Sequence, residues 1–378
     1  MRRQHEKNME IAASKDRRSA LIDVVLPVFN SAATIAASVN SILAQSVKDI
    51  HVIIVDDGSV DATPEIVSEL ARRDARITVV RKENGGIVEA LDLGLSRGRA
   101  PYVARQDADD ISYPDRFERQ LAVFQTDTRL VGLSGSCLHI DDLGRRTGTR
   151  YIPCNPETAS FTSYPSTEPY LLHPFLMMRR EAVSAVGGYR YVHHAEDTDL
   201  YWRLREIGTL RNLPEPLGDM RLHSASISNA SLQNGRIMAV SSQLAAISAR
   251  RRAEGRADLT FSKEALDSYR AAPDLRAMVA VAGLPCRPDE RHYLSVAAAV
   301  KLLELSASRH YELNDADCSF VRSIYSSLTS AEIGRRSVAN WAYRAAFVRL
   351  VRGGFISEWL ALSDPKLIAR TFALRLFA

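Results

Sequence analysis

"DIHVIIVDDGS" (49–59) decides the fold of this 378-residue chain. From Val52 to Val55 every residue is apolar and β-branched, so the run has no polar face. A strand of that kind is covered on both sides, as in a parallel sheet, and Asp56-Asp57-Gly58 closes it with a turn. Upstream, "LIDVVLPVFN" (21–30) reads as a shorter strand that stops at Pro27 and Asn30. Between the two, "SAATIAASVNSILAQS" (31–46) places Ile35, Val39, Ile42 and Leu43 on one side of a helix. Downstream, "DATPEIVSELARRD" (61–74) announces a helix with Thr63 as N-cap and Pro64 at the first helical position. "ARITVVRKENGG" (75–86) gives a third strand and a glycine turn, "IVEALDLGLSRG" (87–98) a helix, and "APYVARQDADD" (100–110) a fourth strand. This alternation predicts an α/β fold with a mostly parallel, Rossmann-like sheet flanked by helices.

Beyond residue 115 the pattern is less regular. "SYPDRFERQLAVFQ" (112–125) reads as a helix with proline at its start, "LVGLSGSCLHI" (130–140) and "HPFLMMRR" (173–180) as strands, and "EDTDLYWRLREIG" (196–208) as a helix. From about residue 235 onward the chain reads as helices. The expected organisation is a polar tail over 1–18, an α/β domain over 19–235 and a helical C-terminal region over 236–378.

Composition narrows the function. A formal charge of +4 with no compact basic stripe gives no reason to expect nucleic acid as a partner. Cys137, Cys154, Cys286 and Cys318 lie far apart and form no CxxC pair, so neither a zinc site nor a disulfide framework is indicated and a reducing compartment is the default. The first eighteen residues carry no apolar segment of the secretory kind. No uninterrupted apolar run approaches the ~18 residues of a membrane span. A cytoplasmic location is expected, at most peripheral at the inner face of the cell membrane.

Two strand ends carry chemistry. "QDADD" (106–110) crowds Asp107, Asp109 and Asp110 at the carboxyl end of the fourth strand, where open α/β sheets bind ligands. Hard oxygen donors suit Mg²⁺ or Mn²⁺. "VDDGSVD" (55–61) offers acceptors for the N–H of a base or for ribose hydroxyls. Each stretch alone reads more simply as a solvated acidic turn, and it is the strand-end position and the pairing of two such turns that favour a ligand.

Taken together the motifs resemble a known family. "PVFN" (27–30), "VDDGSVD" (55–61), "ENGG" (83–86), "DADD" (107–110), "YPDR" (113–116), "GGYR" (187–190) and "AEDTDLYWRL" (195–204) fall in the order and spacing of family 2 glycosyltransferases. That resemblance covers roughly residues 20–230 and implies the GT-A fold and an inverting, metal-dependent transfer from a nucleotide-diphosphate sugar. By position it implies that Pro27, Asn30 and Asp57 flank the nucleobase, usually uracil. Asn84 and Gly85 then belong to the same donor pocket, with Asp107 near the ribose and diphosphate. Asp109 becomes the main ligand of Mn²⁺ or Mg²⁺, and Asp110 orders the loop. Asp197 becomes the general base at a helix start, with Glu196 beside it and His223 as a further metal ligand. His173 reads as packing and acceptor-side shaping, and His193 and His194 receive no role.

The chain also departs from the family pattern. Asp92 stands where an asparagine is usual, and Glu89 where a basic or small residue is, and both add negative charge that Lys82 or Arg105 would offset. The Q-x-x-R-W signature of processive synthases is missing, so one sugar per encounter is expected. The implied acceptor is a glycan or lipid-linked saccharide of cell-surface polysaccharide synthesis. A nucleotidyltransferase would want a cationic Gly-rich loop where "PVFNSAAT" (27–34) stands. A non-catalytic sugar-nucleotide scaffold would have no use for Asp107, Asp109 and Asp197 together.

At the C-terminus, residues 330–378 hold eight basic and three acidic side chains. The arginines of "AEIGRRSVANWAYRAAFVRLVR" (331–352) fall all round a helical wheel. Packing on the core or a partner, and peripheral contact with an anionic membrane, are both open to them.

Overall fold

The structure, a computed structural model, describes residues 20–222, 231–309 and 312–327. The expected tail over 1–18, His223 and the arginine-rich stretch 331–352 lie outside the described residues. The chain divides into two units: the first takes residues up to 158, 169–190 and 200–222, and the second takes 159–168, 191–199 and everything from 223.

In the first unit β1 (Ile22–Val28), α1 (Ile35–Leu43), β2 (Ile50–Asp56), α2 (Thr63–Arg73), β3 (Ile77–Arg81), α3 (Ile87–Arg97) and β4 (Tyr102–Arg105) follow in strict alternation. β1 pairs in parallel with β2 and β4, and β2 with β3. Every residue of β1 is buried, including Asp23, which is paired with Arg180. One helix start differs from expectation. Ala62, not Thr63, is the N-cap of α2. The Thr63 hydroxyl instead accepts the N–H of Ser31 (2.8 Å), and Asp61 accepts the N–H of Thr63 (3.0 Å). A long-range bond to the first strand's loop has displaced the local cap.

The chain continues through β5 (Ile111–Ser112), α4 (Arg116–Thr126), β6 (Leu130–Ile140), β7 (Arg146–Tyr151), β8 (Met177–Arg179), α5 (Arg180–Ala185), α6 (Glu196–Ile207) and β9 (Thr209–Arg221). The first turn of α6 is assigned to the second unit. The sheet order is β3-β2-β1-β4-β8-β6-β9-β5, with β7 paired to β6. β8 enters antiparallel between β4 and β6, while β6 and β9 run parallel. The sheet is therefore mixed beyond β4. The apolar run "FLMM" (175–178) is compatible with either strand direction, so this reversal is a property of the connections rather than of the residues.

The second unit is helical: α7 (Leu232–Ala253), α8 (Ala265–Ala271), α9 (Leu275–Ala282), α10 (Pro288–Arg309) and α11 (Asp315–Ser327). Ser231 caps α7 by accepting the Asn234 N–H at 3.1 Å, and Asp274 caps α9 by accepting that of Ala277 at 2.8 Å. The small buried residues Ala297, Ala298 and Ala299 let α10 lie close against its neighbours. One charged pair is sealed in this core. Arg236 meets Asp317 at 2.7 Å, Asp317 is 0% exposed, and its other oxygen accepts the Leu275 N–H. Arg236→Ala leaves that carboxylate buried without its cation. We expect a loss of about 3–5 kcal/mol, read as a lowered urea midpoint.

Candidate active site

The carboxyl ends of β1 to β4 gather four loops, and Asp57 knits two of them. Its Oδ1 accepts from Lys82 Nζ (2.8 Å) and the Gly85 N–H (3.0 Å), and its Oδ2 accepts from the Gly86 N–H (2.9 Å). The Asn84 side chain donates to the Asp57 carbonyl at 3.0 Å. Glycine is required at Gly58, whereas at Gly85 only flexible side-chain ends stand close. Gly58 has φ of +81°, and a Cβ on it would stand 2.8 Å from the Asn84 nitrogen. A Cβ on Gly85 would lie inside the Glu89 carboxylate and near Lys82 Nζ. Asn30, with φ of +49°, ties the first loop to the second: its Oδ1 accepts the Val60 N–H at 2.9 Å and its own N–H donates to Ser59 Oγ. Pro27 lies in β1 opposite Val55 and is buried.

The acidic cluster follows β4. One carboxylate oxygen from each of Asp107, Asp109 and Asp110 lies within 4.8 Å of the others. The loop that holds them is anchored from below by polar residues that read as ordinary loop in the sequence. Buried Gln106 donates to Ser38 Oγ (3.0 Å) and to the Asp110 carbonyl (2.8 Å), and Ser38 donates to the Asp107 carbonyl (2.6 Å). The fully buried guanidinium of Arg116 donates to Gln106 Oε1, Ser112 Oγ, Gln120 Oε1 and the carbonyls of Arg105 and Leu176. A cradle whose one cation spends its donors on neutral acceptors fixes the loop without using up a carboxylate.

Charge accumulates above that cradle. Asp110 is 2% exposed, and burial, followed by the charges of Asp107 and Asp109, pushes its carboxyl well above the usual range. Its Oδ1 accepts the Arg221 N–H at 2.7 Å, and Asp107 Oδ1 is held by Arg105 Nη1. A Mg²⁺ or Mn²⁺ ion usually takes only one or two carboxylates, so three offer more than enough. The all-oxygen donor set and the mutual repulsion of the three aspartates fit a divalent cation.

The two departures from the family pattern resolve differently. Lys82 does pair with Glu89, at 3.1 Å, as well as with Asp57. Asp92 accepts the Tyr189 N–H at 3.0 Å, and burial raises its carboxyl. His173 is half-buried, with Nε2 2.8 Å from the Tyr189 hydroxyl, and desolvation followed by the Arg105 charge holds its imidazole well below the usual value. The native state thus resists a proton that the unfolded chain accepts below about pH 6.5. Stability is fully present above that pH and falls as the pH drops through it, by at most about 1.4 kcal/mol per pH unit for one proton. His173→Gln should lose less than the wild type between pH 7.5 and 5.5 in urea titrations. Equal losses would dismiss His173 as the source.

In the second unit, Glu196 and Asp197 open α6, with Asp199 in the same turn. Asp197 Oδ1 accepts the Thr198 N–H at 2.6 Å, so the carboxylate helps to start the helix. His193 Nε2 meets the Ser262 carbonyl at 3.1 Å.

Comparison with known proteins agrees with this geometry. The sequence pattern of Glycosyl transferase family 2 matches residues 23–187. The Bacillus subtilis (strain 168) protein EpsE, named as a glycosyltransferase, is 34% identical over 206 residues, 53% of this chain and 72% of EpsE. The O-antigen biosynthesis glycosyltransferase WbnJ of Escherichia coli is 29% identical over 56% of this chain and 84% of its own. Chondroitin synthase of Pasteurella multocida (strain Pm70) is 28% identical over 61% of this chain, which spans only 23% of that larger protein. Two solved structures are similar in layout alone. S. aureus TarS 1–349 has a TM-score of 0.46 at 17% identity, covering 88% of this chain and 91% of that one. The Pyrobaculum calidifontis mannosyltransferase PcManGT, in complex with GDP-Man and Mn²⁺, has a TM-score of 0.48 at 16% identity, covering 88% of each. The chain belongs to glycosyl transferase family 2, and its fold is GT-A. Among the described residues, no helix is long and apolar enough to cross a membrane.

Proposed function

We propose that the chain is a divalent-cation-dependent, inverting, non-processive glycosyltransferase. It moves one sugar from a nucleotide-diphosphate sugar, uridine-linked by the family's habit, to a hydroxyl of a glycan or lipid-linked saccharide in cell-surface polysaccharide synthesis. The observation that carries this reading is the Asp107-Asp109-Asp110 cluster, set on a buried polar cradle beside loops tied together by Asp57. The name of WbnJ, an O-antigen biosynthesis glycosyltransferase, supports the biosynthetic setting.

In this reading Asp109, aided by His223, would hold the cation, Mn²⁺ or Mg²⁺. When bound, the cation supplies Lewis-acid stabilisation of the charge that develops on the departing diphosphate. The loops carrying Pro27, Asn30, Asp57, Asn84 and Gly85 frame the base, and Asp107 faces the ribose and diphosphate. Asp197 takes the proton of the acceptor hydroxyl. The new C–O bond forms at the anomeric carbon as its bond to the diphosphate oxygen breaks, with inversion. Glu196 orients the acceptor or its loop.

The test is release of nucleoside diphosphate from a panel of UDP-, GDP- and dTDP-sugars with Mn²⁺, with the anomer of the sugar product read by NMR. Release from one nucleotide class with an inverted anomer supports the proposal. A retained anomer contradicts the inverting mechanism. Binding without any release would favour a non-catalytic scaffold.

A further inference from the structure

Arg105 is a second claimant on the acidic cluster. It ends β4 and is 5% exposed. Its Nη1 donates to Asp107 Oδ1, and its buried Nε has no hydrogen-bond partner. Two other arginines lie close by, and their guanidiniums are committed elsewhere. Arg116 spends its donors on the neutral acceptors of the cradle. Arg221 donates to the carbonyls of Asp109, Asp141 and Asp142. Of the three, Arg105 is the one whose guanidinium goes to a carboxylate of the cluster.

That placement opposes a bare cation in two ways. One oxygen of Asp107 is already taken, and a fixed positive charge lies just behind it. Burial leaves this repulsion poorly screened by salt. A diphosphate reverses both effects, because its oxygens attract the cation and the guanidinium together.

We propose that Arg105 is a positioning residue that couples cation binding to nucleotide-diphosphate binding. It holds Asp107 in the ligand-free site, keeps affinity for a lone cation low, and gives up Asp107 when a diphosphate arrives to balance both charges. The inference rests on reading the cluster as the cation and diphosphate site. Linkage makes the coupling reciprocal: the cation raises nucleotide affinity by the factor by which the nucleotide raises cation affinity.

The experiment measures Mn²⁺ binding to the full chain from the EPR signal of the free ion, with and without UDP, GDP or dTDP. Association of Mn²⁺ with nucleotide in solution is subtracted. Wild type should bind Mn²⁺ weakly alone and roughly tenfold or more tightly with its nucleotide. Arg105→Gln should bind bare Mn²⁺ roughly tenfold more tightly than wild type, with the nucleotide effect reduced toward none. Arg105→Lys, which keeps the charge, should retain the coupling. A merely structural arginine would weaken Mn²⁺ binding with and without nucleotide alike and leave their ratio unchanged, which would overturn the proposal. Should Arg105→Gln fail to fold, wild type still decides, because Mn²⁺ binding that is equally tight with and without nucleotide overturns the coupling. Binding of neither Mn²⁺ nor any of the three nucleotides to wild type would remove the donor-site reading itself, and the inference with it.

Discussion

Asp109→Asn is expected to lower sugar transfer by roughly a thousandfold, about 4 kcal/mol of transition-state stabilisation. The substitution keeps shape and removes one charge from three carboxylates whose oxygens lie within 4.8 Å of one another. Stability should not fall with activity. Burial and the charges of Asp107 and Asp109 already disfavour ionised Asp110, so deleting one like charge relieves strain in the ligand-free protein. The expected signature is an unchanged or raised Tm, loss of the cation's enhancement of nucleotide binding, and a kcat/KM lower by about three decades. A lowered Tm with cation binding intact would instead mark Asp109 as structural.

The second large effect is expected at Asp197. Asp197→Asn should reduce kcat by about 10²–10⁴-fold, the range for loss of a general base. Affinity for nucleotide and Mn²⁺ should be unchanged, because the proposed partner of Asp197 is the acceptor hydroxyl. Asparagine keeps the Oδ1 that accepts the Thr198 N–H, so the start of α6 should survive. Pre-steady-state kinetics with donor binding measured in parallel separates the two effects. A variant that loses donor affinity and keeps kcat would contradict the assignment.

Much of the fold was legible because it rests on local pattern. The unbroken apolar run of β2 and the helical spacing of α1 require parallel, doubly covered strands wherever they occur. The antiparallel entry of β8 depends on which strands the chain returns between, and three paired residues carry no directional signal. The site was legible in its acidic half only. Gln106, Ser38 and Arg116 form the cradle through side chains up to 78 positions apart in reach of the loop's carbonyls, and nothing local in "ARQDADDISYPDR" (104–116) distinguishes a buried arginine from an exposed one. Asp57 shows the same limit. Its neighbours suggested a ligand for a base, yet three of its acceptor positions serve Lys82, Gly85 and Gly86. The loop brace is an observed task of that residue, and only the tertiary contacts reveal it.

The central claim is that the aspartates after β4 receive a cation together with a nucleoside diphosphate. Calorimetric titration of the full chain with UDP, GDP and dTDP, with and without Mn²⁺, on wild type and Asp109→Asn, tests it most directly. The account predicts that one diphosphate binds wild type tightly only when Mn²⁺ is present, and that Asp109→Asn abolishes the dependence. Binding of equal strength without Mn²⁺, or in the variant, would contradict it.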